Sequence, residues 1–266
     1  MLCVSTGVYA GMIQITDLVK LKLCPYRFYL EKMKKKKVPT SQEIYLGKVY
    51  HKIAEEIAKR EPPILEEVTA GTSQNLFDVL YAEYCRVIRN VILRRKKKLV
   101  SLDIDYGQLM KELREYYKAI ATKRVSTMKK VEEEEEMEII IDSVEYRIED
   151  SELELVGKVD RIETHEGIIV PVEIKTIQKK RPTVSEMLQL AGYALLLERE
   201  RNTSVCKGII EYPSKRFLID IPDKLKQNIL NLRDYALEIL QGEIPEKVRT
   251  DRCDRCHLYD ECWMLE

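Results

Sequence analysis

The stretch from Val156 to Thr176, VGKVDRIETHEGIIVPVEIKT, reads as two β-strands around a tight turn. Ile168, Val170, Val172 and Ile174 recur with a period of two and share one face, while Glu173 and Lys175 point to the other. Glu166-Gly167 suits a two-residue hairpin loop. With that loop, Asp160 falls directly across from Glu173 and Val159 across from Ile174, which joins the apolar sides of the two strands. Asp160, Glu173 and Lys175 then gather on one surface.

Two carboxylates at cross-strand distance repel by up to about 1 kcal/mol unless a cation sits between them. Hard oxygen ligands with open positions suit Mg²⁺ or Mn²⁺. A lysine two residues beyond a ligand can orient water and stabilise charge on a phosphate, which gives the parts for metal-assisted phosphodiester hydrolysis. A plain surface hairpin with one Glu–Lys alternation accounts for the same residues. His51, in GKVYH on an upstream helix, offers an imidazole. Gln189 and Tyr193 lie four apart on the helix after the lysine strand and share a face.

Outward from the hairpin, Thr16 or Asp17 starts a helix through LVKLKLCPYRFYLEKM, with Pro25 as a break or fresh start. A second helix runs from about Ser41 to Arg60 and stops at Pro62-Pro63. Two long helical patterns follow, Gln74–Lys98 and Tyr106–Met128. Strands are expected at Met137–Ile141, Tyr146–Ile148, Glu152–Glu163 and Ile168–Thr176. Then come a helix at Ser185–Arg201, a hairpin from Val205–Tyr212 and Phe217–Ile221, and a helix from Asp223 to Gln241. The order implies an α/β core with a helical elaboration. The expected divisions are 1–60 (N-terminal helices), 61–130 (a helical insertion), 131–245 (the core) and 246–266 (a cysteine-rich tail).

The 266 residues carry 45 basic and 45 acidic side chains, so net charge says nothing about a nucleic-acid partner. Its distribution says more: basic runs at Lys34–Lys37 and Arg94–Lys98 are candidate phosphate contacts, and Glu132–Glu136 is an acidic run. The first fifteen residues lack the basic start of a signal peptide, and no apolar run approaches the roughly 20 residues of a membrane span. A cytoplasmic protein is the expectation, and there seven cysteines argue for metal or cluster binding rather than disulfides. Cys253, Cys256 and Cys262 fall within ten positions, three ligands that want a fourth. Cys3, Cys85 and Cys206 read as ordinary buried residues, and His257, inside the trio, as a packing or surface residue ahead of a substitute ligand.

Taken in order, GKVYH, VGKVD, VEIKT and QLAGY resemble the RecB-type branch of the PD-(D/E)XK nuclease superfamily. The resemblance implies a restriction-endonuclease-like α/β core. It implies His51, Asp160 and Glu173 as ligands of Mg²⁺ or Mn²⁺, joined by the carbonyl of Ile174, with Lys175 catalytic and Gln189 and Tyr193 engaging the substrate. In iron–sulfur members of this branch one cysteine precedes the histidine motif and three follow the core. Cys24, in KLCPYRFYL, matches the first, and Cys253, Cys256 and Cys262 match the trio. That implies a 4Fe–4S cluster (2Fe–2S less so) joining the N- and C-terminal segments, with a Cys₄ zinc site as the rival.

The KLCPYRFYL element and the size of the chain are most similar to the CRISPR-associated RecB-like exonuclease family. That implies an exonuclease on single-stranded DNA or DNA with single-stranded ends, working 5′ to 3′, in spacer acquisition beside the CRISPR integrase, and a homo-oligomer as one option. Two alternatives stay open: a repair exonuclease or helicase-associated nuclease, and a non-catalytic Fe–S adaptor that binds DNA for the integrase. The helices between His51 and Asp160 either arch over single-stranded DNA, with tyrosines stacking on bases and Arg94–Lys98 on phosphates, or simply cover the sheet with tyrosines in their own core.

Overall fold

The structure, a computed structural model, describes residues 11–36, 42–69, 76–131, 139–175, 179–212 and 215–264. Cys3, the Glu132–Glu136 run and Thr176 lie outside the described residues.

The hairpin forms in the expected register. Strand β3 (Leu155–His165) pairs antiparallel with β4 (Ile168–Ile174), from His165 opposite Ile168 to Arg161 opposite Val172. Glu166 and Gly167 both take positive φ, 50° and 80°, the type I′ geometry whose twist matches the strands it joins. The apolar sides do not meet as expected, however. Ladder pairing stops at Arg161, Val159 pairs instead with Tyr146 on the far edge, and Ile174 packs on a separate small cluster of Val170, Val172 and Ile209.

The far edge belongs to β2 (Ile139–Asp150), one continuous strand where two short ones were expected. β2 pairs along all of β3, so the other edge of β3 must serve both β4 and the short parallel strand β1 (Ile13–Gln14), which meets it at Leu155 and Val156. Between those two contacts the edge is open, and Asp160 lies there. β4 continues the sheet through parallel pairing to β5 (Lys207–Tyr212), which pairs antiparallel with β6 (Lys215–Asp220).

Helices α1 (Ile15–Leu23) and α2 (Pro25–Lys32) are separate, with Pro25 starting the second as a residue that needs no N–H there. They join α6 (Val184–Arg201) and α7 (Asp223–Leu240) in the main core against the sheet. α6 begins with a capping box: Thr183 accepts from the Glu186 N–H and Glu186 accepts from the Thr183 N–H. That fixes the start of the helix carrying Gln189 and Tyr193.

A second core unites α3 (Gln42–Thr69), α4 (Leu76–Ser101) and α5 (Tyr106–Val131), drawing Val49, Ile53 and Ile57 from α3. α3 does not stop at the prolines as the sequence suggests; it runs through Pro62 and Pro63. Each proline costs about 3 kcal/mol in a helix interior. Continuing the helix lets Ile64 and Leu65 reach the second core and keeps buried Glu61 at 2.5 Å from Arg124 of α5. Tyr84 and Tyr117 are buried in this core, as the plain cover reading expects.

Two motif glycines are explained by close approach. A Cβ on Gly157 would sit 3.0 Å from the Tyr193 ring, and one on Gly192 would sit 2.6 Å from Cγ2 of fully buried Ile15. Alanine in a helix gains about 1 kcal/mol over glycine, but the packing conflict with Ile15 costs about 1–3 kcal/mol. Gly192→Ala should therefore lower stability by roughly 1–2 kcal/mol, read as a reduced urea midpoint at unchanged slope.

Candidate active site

Asp160 sits at the opening between β1 and β4, where its carboxylate takes over from the ladder. Its Oδ2 accepts the backbone N–H of Ile174 at 2.7 Å, and its Oδ1 lies 3.5 Å from His51 Nε2. Burial, and then the neighbouring charges of Glu173 and Glu145, push the Asp160 carboxyl well above the usual carboxylate range. Such a group favours a nearby cation that lets it stay ionised.

Glu173 is buried on β4. Its Oε1 accepts from Lys175 Nζ at 2.7 Å, while its Oε2 is buried and takes no hydrogen bond from the described residues. An orphaned carboxylate oxygen in the interior is costly, and a metal ion is one physical remedy. Lys175 Nζ also donates to Gln189 Oε1 at 3.1 Å, and Gln189 Nε2 donates to the Tyr193 hydroxyl at 2.8 Å. Burial, then the Glu173 charge, raises the Tyr193 phenol, so it stays protonated. Gln189 thus holds the lysine by its oxygen while Tyr193 holds Gln189 by its nitrogen. The structure brings His51, Asp160, Glu173, Lys175, Gln189 and Tyr193 to one end of the sheet, with Ile174 between the two β4 residues.

Glu145 was missed. Its Oε1 lies 3.7 Å from His51 Nε2, and the ligand atoms of His51, Glu145 and Asp160 all fall within 4.8 Å of one another. Lys158 forms an ion pair with its other oxygen. Glu145 stands between the Val144–Arg161 and Tyr146–Val159 pairs, hence across from Asp160, and has φ 53°. A non-glycine residue with positive φ in a strand is uncommon. Only the β2–β3 register could have found Glu145, and no turn signal in the sequence sets that register.

Beside this site lies a buried ionic lattice. Arg161 binds Glu163 (2.7 Å) and Glu211 (2.5 Å), Arg216 binds the same two carboxylates, and His165 binds Glu163. Burial alone would raise Glu163, but Arg161 and Arg216 outweigh it and hold the carboxyl near 2. Its folded pKa lies below the unfolded one, so its contribution is complete above about pH 4.5 and is lost as pH falls toward 2, on the order of 3 kcal/mol. Glu163→Gln should lower neutral-pH stability and flatten the acid limb of the urea midpoint between about pH 5 and pH 2.

The cysteines Cys24, Cys253, Cys256 and Cys262 line one small pocket between α2 and the C-terminal segment. Cys24 is the N-cap of α2, its sulfur accepting the Arg27 N–H at 3.4 Å, and Cys253 accepts from the Thr250 N–H. Burial leads the rise of the Cys262 thiol, with the other three thiols adding to it. Among the described residues the three-ligand group within 4.8 Å is that of His51, not of the cysteines, whose sulfurs are spread wider. His257 is exposed, as expected, but Cys206 is exposed and Cys85 only half-buried, against expectation. Each sits on a segment whose other face supplies the core.

No helix among the described residues is long and apolar enough to cross a membrane. A protein of Leptospira interrogans serogroup Icterohaemorrhagiae serovar Lai (strain 56601), named CRISPR-associated exonuclease Cas4/endonuclease Cas1 fusion, is 31% identical over 132 residues, which are 46% of this chain and 24% of that protein. The CRISPR-associated exonuclease Cas4 of Rhodospirillum rubrum is 29% identical over 120 residues, 41% of this chain and 35% of that protein. The chain thus spans only about a quarter to a third of the relatives it matches. A solved structure titled "Crystal structure of SSO0001" aligns over 66% of this chain and 81% of that one, at 16% identity and a TM-score of 0.31. The PD-(D/E)XK nuclease superfamily profile matches residues 15–262, from the first turn of α1 to the last cysteine. The chain therefore belongs to the PD-(D/E)XK nuclease superfamily and is similar, within it, to CRISPR-associated exonucleases.

Proposed function

We propose that this chain is a metal-dependent exonuclease that shortens single-stranded DNA from the 5′ end, in the CRISPR setting of its relatives. The observation that carries the reading is the convergence of His51, Glu145 and Asp160 beside Lys175, with Glu173 Oε2 buried and without a hydrogen bond among the described residues. Asp160, His51, Glu173 and the Ile174 carbonyl, with Glu145 added, would hold Mg²⁺ or Mn²⁺. A bound ion of this kind polarises a phosphodiester and lowers the pKa of its water. Lys175, fixed by Glu173 and Gln189, presents its ammonium to the phosphate, where it stabilises the charge that develops on oxygen.

The four cysteines would hold an iron–sulfur cluster. Their placement around one small pocket, joining α2 to the C-terminal segment, supports a shared thiolate centre there. The relative from Leptospira interrogans carries an endonuclease in the same chain, by its name. That supports an integrase-type partner here.

The test uses single-stranded DNA labelled separately at each end, with Mn²⁺ or with EDTA. Shortening only with metal, and from the 5′ end, is the expected result; binding without shortening under every condition would replace the nuclease by an adaptor. Glu145→Gln should weaken Mn²⁺ binding about 10- to 100-fold, followed by the ion's paramagnetic resonance.

A further inference from the structure

A cavity of about 520 Å³ lies between α3, α5 and the sheet, and its wall includes Ile174 and Lys175. Its volume falls in the roughly 300–1,000 Å³ range of small-ligand sites. We propose that it seats one unstacked nucleobase of the DNA strand, next to the phosphate that Lys175 addresses. The inference rests on the nuclease reading and deepens it.

Three observations choose a base over a phosphate. First, the wall is mainly apolar and aromatic, with Tyr50 from α3 and Tyr116 from α5 both half-buried. Tyr117 packs edge-on to Tyr116, at 5.1 Å between centroids and 90° between planes, which holds the Tyr116 ring in place. Second, the arginines in the wall are committed. Arg124 binds Glu61, and Arg161 and Arg216 bind Glu211 and Glu163. A phosphate would compete with those carboxylates for the arginines, whereas a neutral base leaves the pairs intact. Third, the basic run Arg94–Lys98 lies on α4, outside the cavity wall, and Lys96 is taken up over the Tyr106 ring at 4.7 Å. The longest basic run on the described helices thus lies outside the cavity.

The experiment measures binding of an end-labelled oligodeoxythymidine in EDTA, with one abasic site walked along the strand from the 5′ end. One abasic position should weaken binding about tenfold, and the others should stay within about twofold. Tyr116→Leu should lose about as much on the intact strand and nothing further on the abasic one. Ala54→Phe, which adds volume to the cavity wall instead of removing packing, should give the same pattern with an unchanged circular-dichroism melt. If no position stands out, or both variants bind the intact strand as the wild type does, the base site is wrong. The two readings separate cleanly. Shortening in Mn²⁺ with no special position overturns the base site alone, and a special position without any shortening overturns the nuclease alone.

Discussion

Lys175→Ala is expected to slow metal-dependent shortening of single-stranded DNA by about 10²–10⁴-fold while leaving the melt unchanged. Lys175 is partly exposed, and among the described residues its ammonium bonds Glu173 and Gln189, so its loss removes little packing. It also frees Glu173 Oε1, which adds a second uncompensated oxygen next to buried Asp160. Metal should therefore bind the variant at least as tightly as the wild type, even as turnover falls. Single-turnover rates set against Mn²⁺ titrations check this. A variant that cuts at wild-type rate would remove Lys175 from the chemistry.

Cys24→Ser carries the second large effect, on stability. A cluster held by Cys24 and the C-terminal trio closes a loop of about 230 residues between positions 24 and 253. The chain-entropy relation for cross-links puts such a closure at about 5 kcal/mol. For a chain of this length that is roughly 10 °C in Tm. The variant should lose the visible absorbance near about 400 nm of an iron–sulfur protein along with that stability. If the wild type as purified shows no such absorbance and binds one zinc through these thiols, the cluster reading falls.

The hairpin was legible because its signals are local. Glu166-Gly167 fixed the loop, the loop fixed the register up to Arg161–Val172, and Asp160, one residue beyond, reaches β4 at Ile174 N–H. Gln189 and Tyr193 were legible as a helix pair, although their link to Lys175 needed the distances. Long-range choices left no such mark. Glu145 depends on a β2–β3 register set by packing, and on a positive φ that glutamate does not advertise. The passage of α3 through Pro62-Pro63 depends on Ile64, Leu65 and the Glu61–Arg124 pair, contacts with helices far along the chain. The cavity exists only because α3 and α5 stand off the sheet, and nothing in a one-dimensional pattern records that gap.

The bond from Ile174 N–H to Asp160 Oδ2 has a bearing on ion choice. With one oxygen already holding a backbone N–H, Asp160 would turn chiefly its other oxygen to a cation at the proposed site, and Glu173, with Oε1 on Lys175, would do the same. Large ions such as Ca²⁺ favour high coordination numbers and bidentate carboxylates, whereas Mg²⁺ takes six ligands at short range and is content with one oxygen from each. At the proposed site, carboxylates held in this way by Ile174 N–H and Lys175 would favour Mg²⁺ over Ca²⁺.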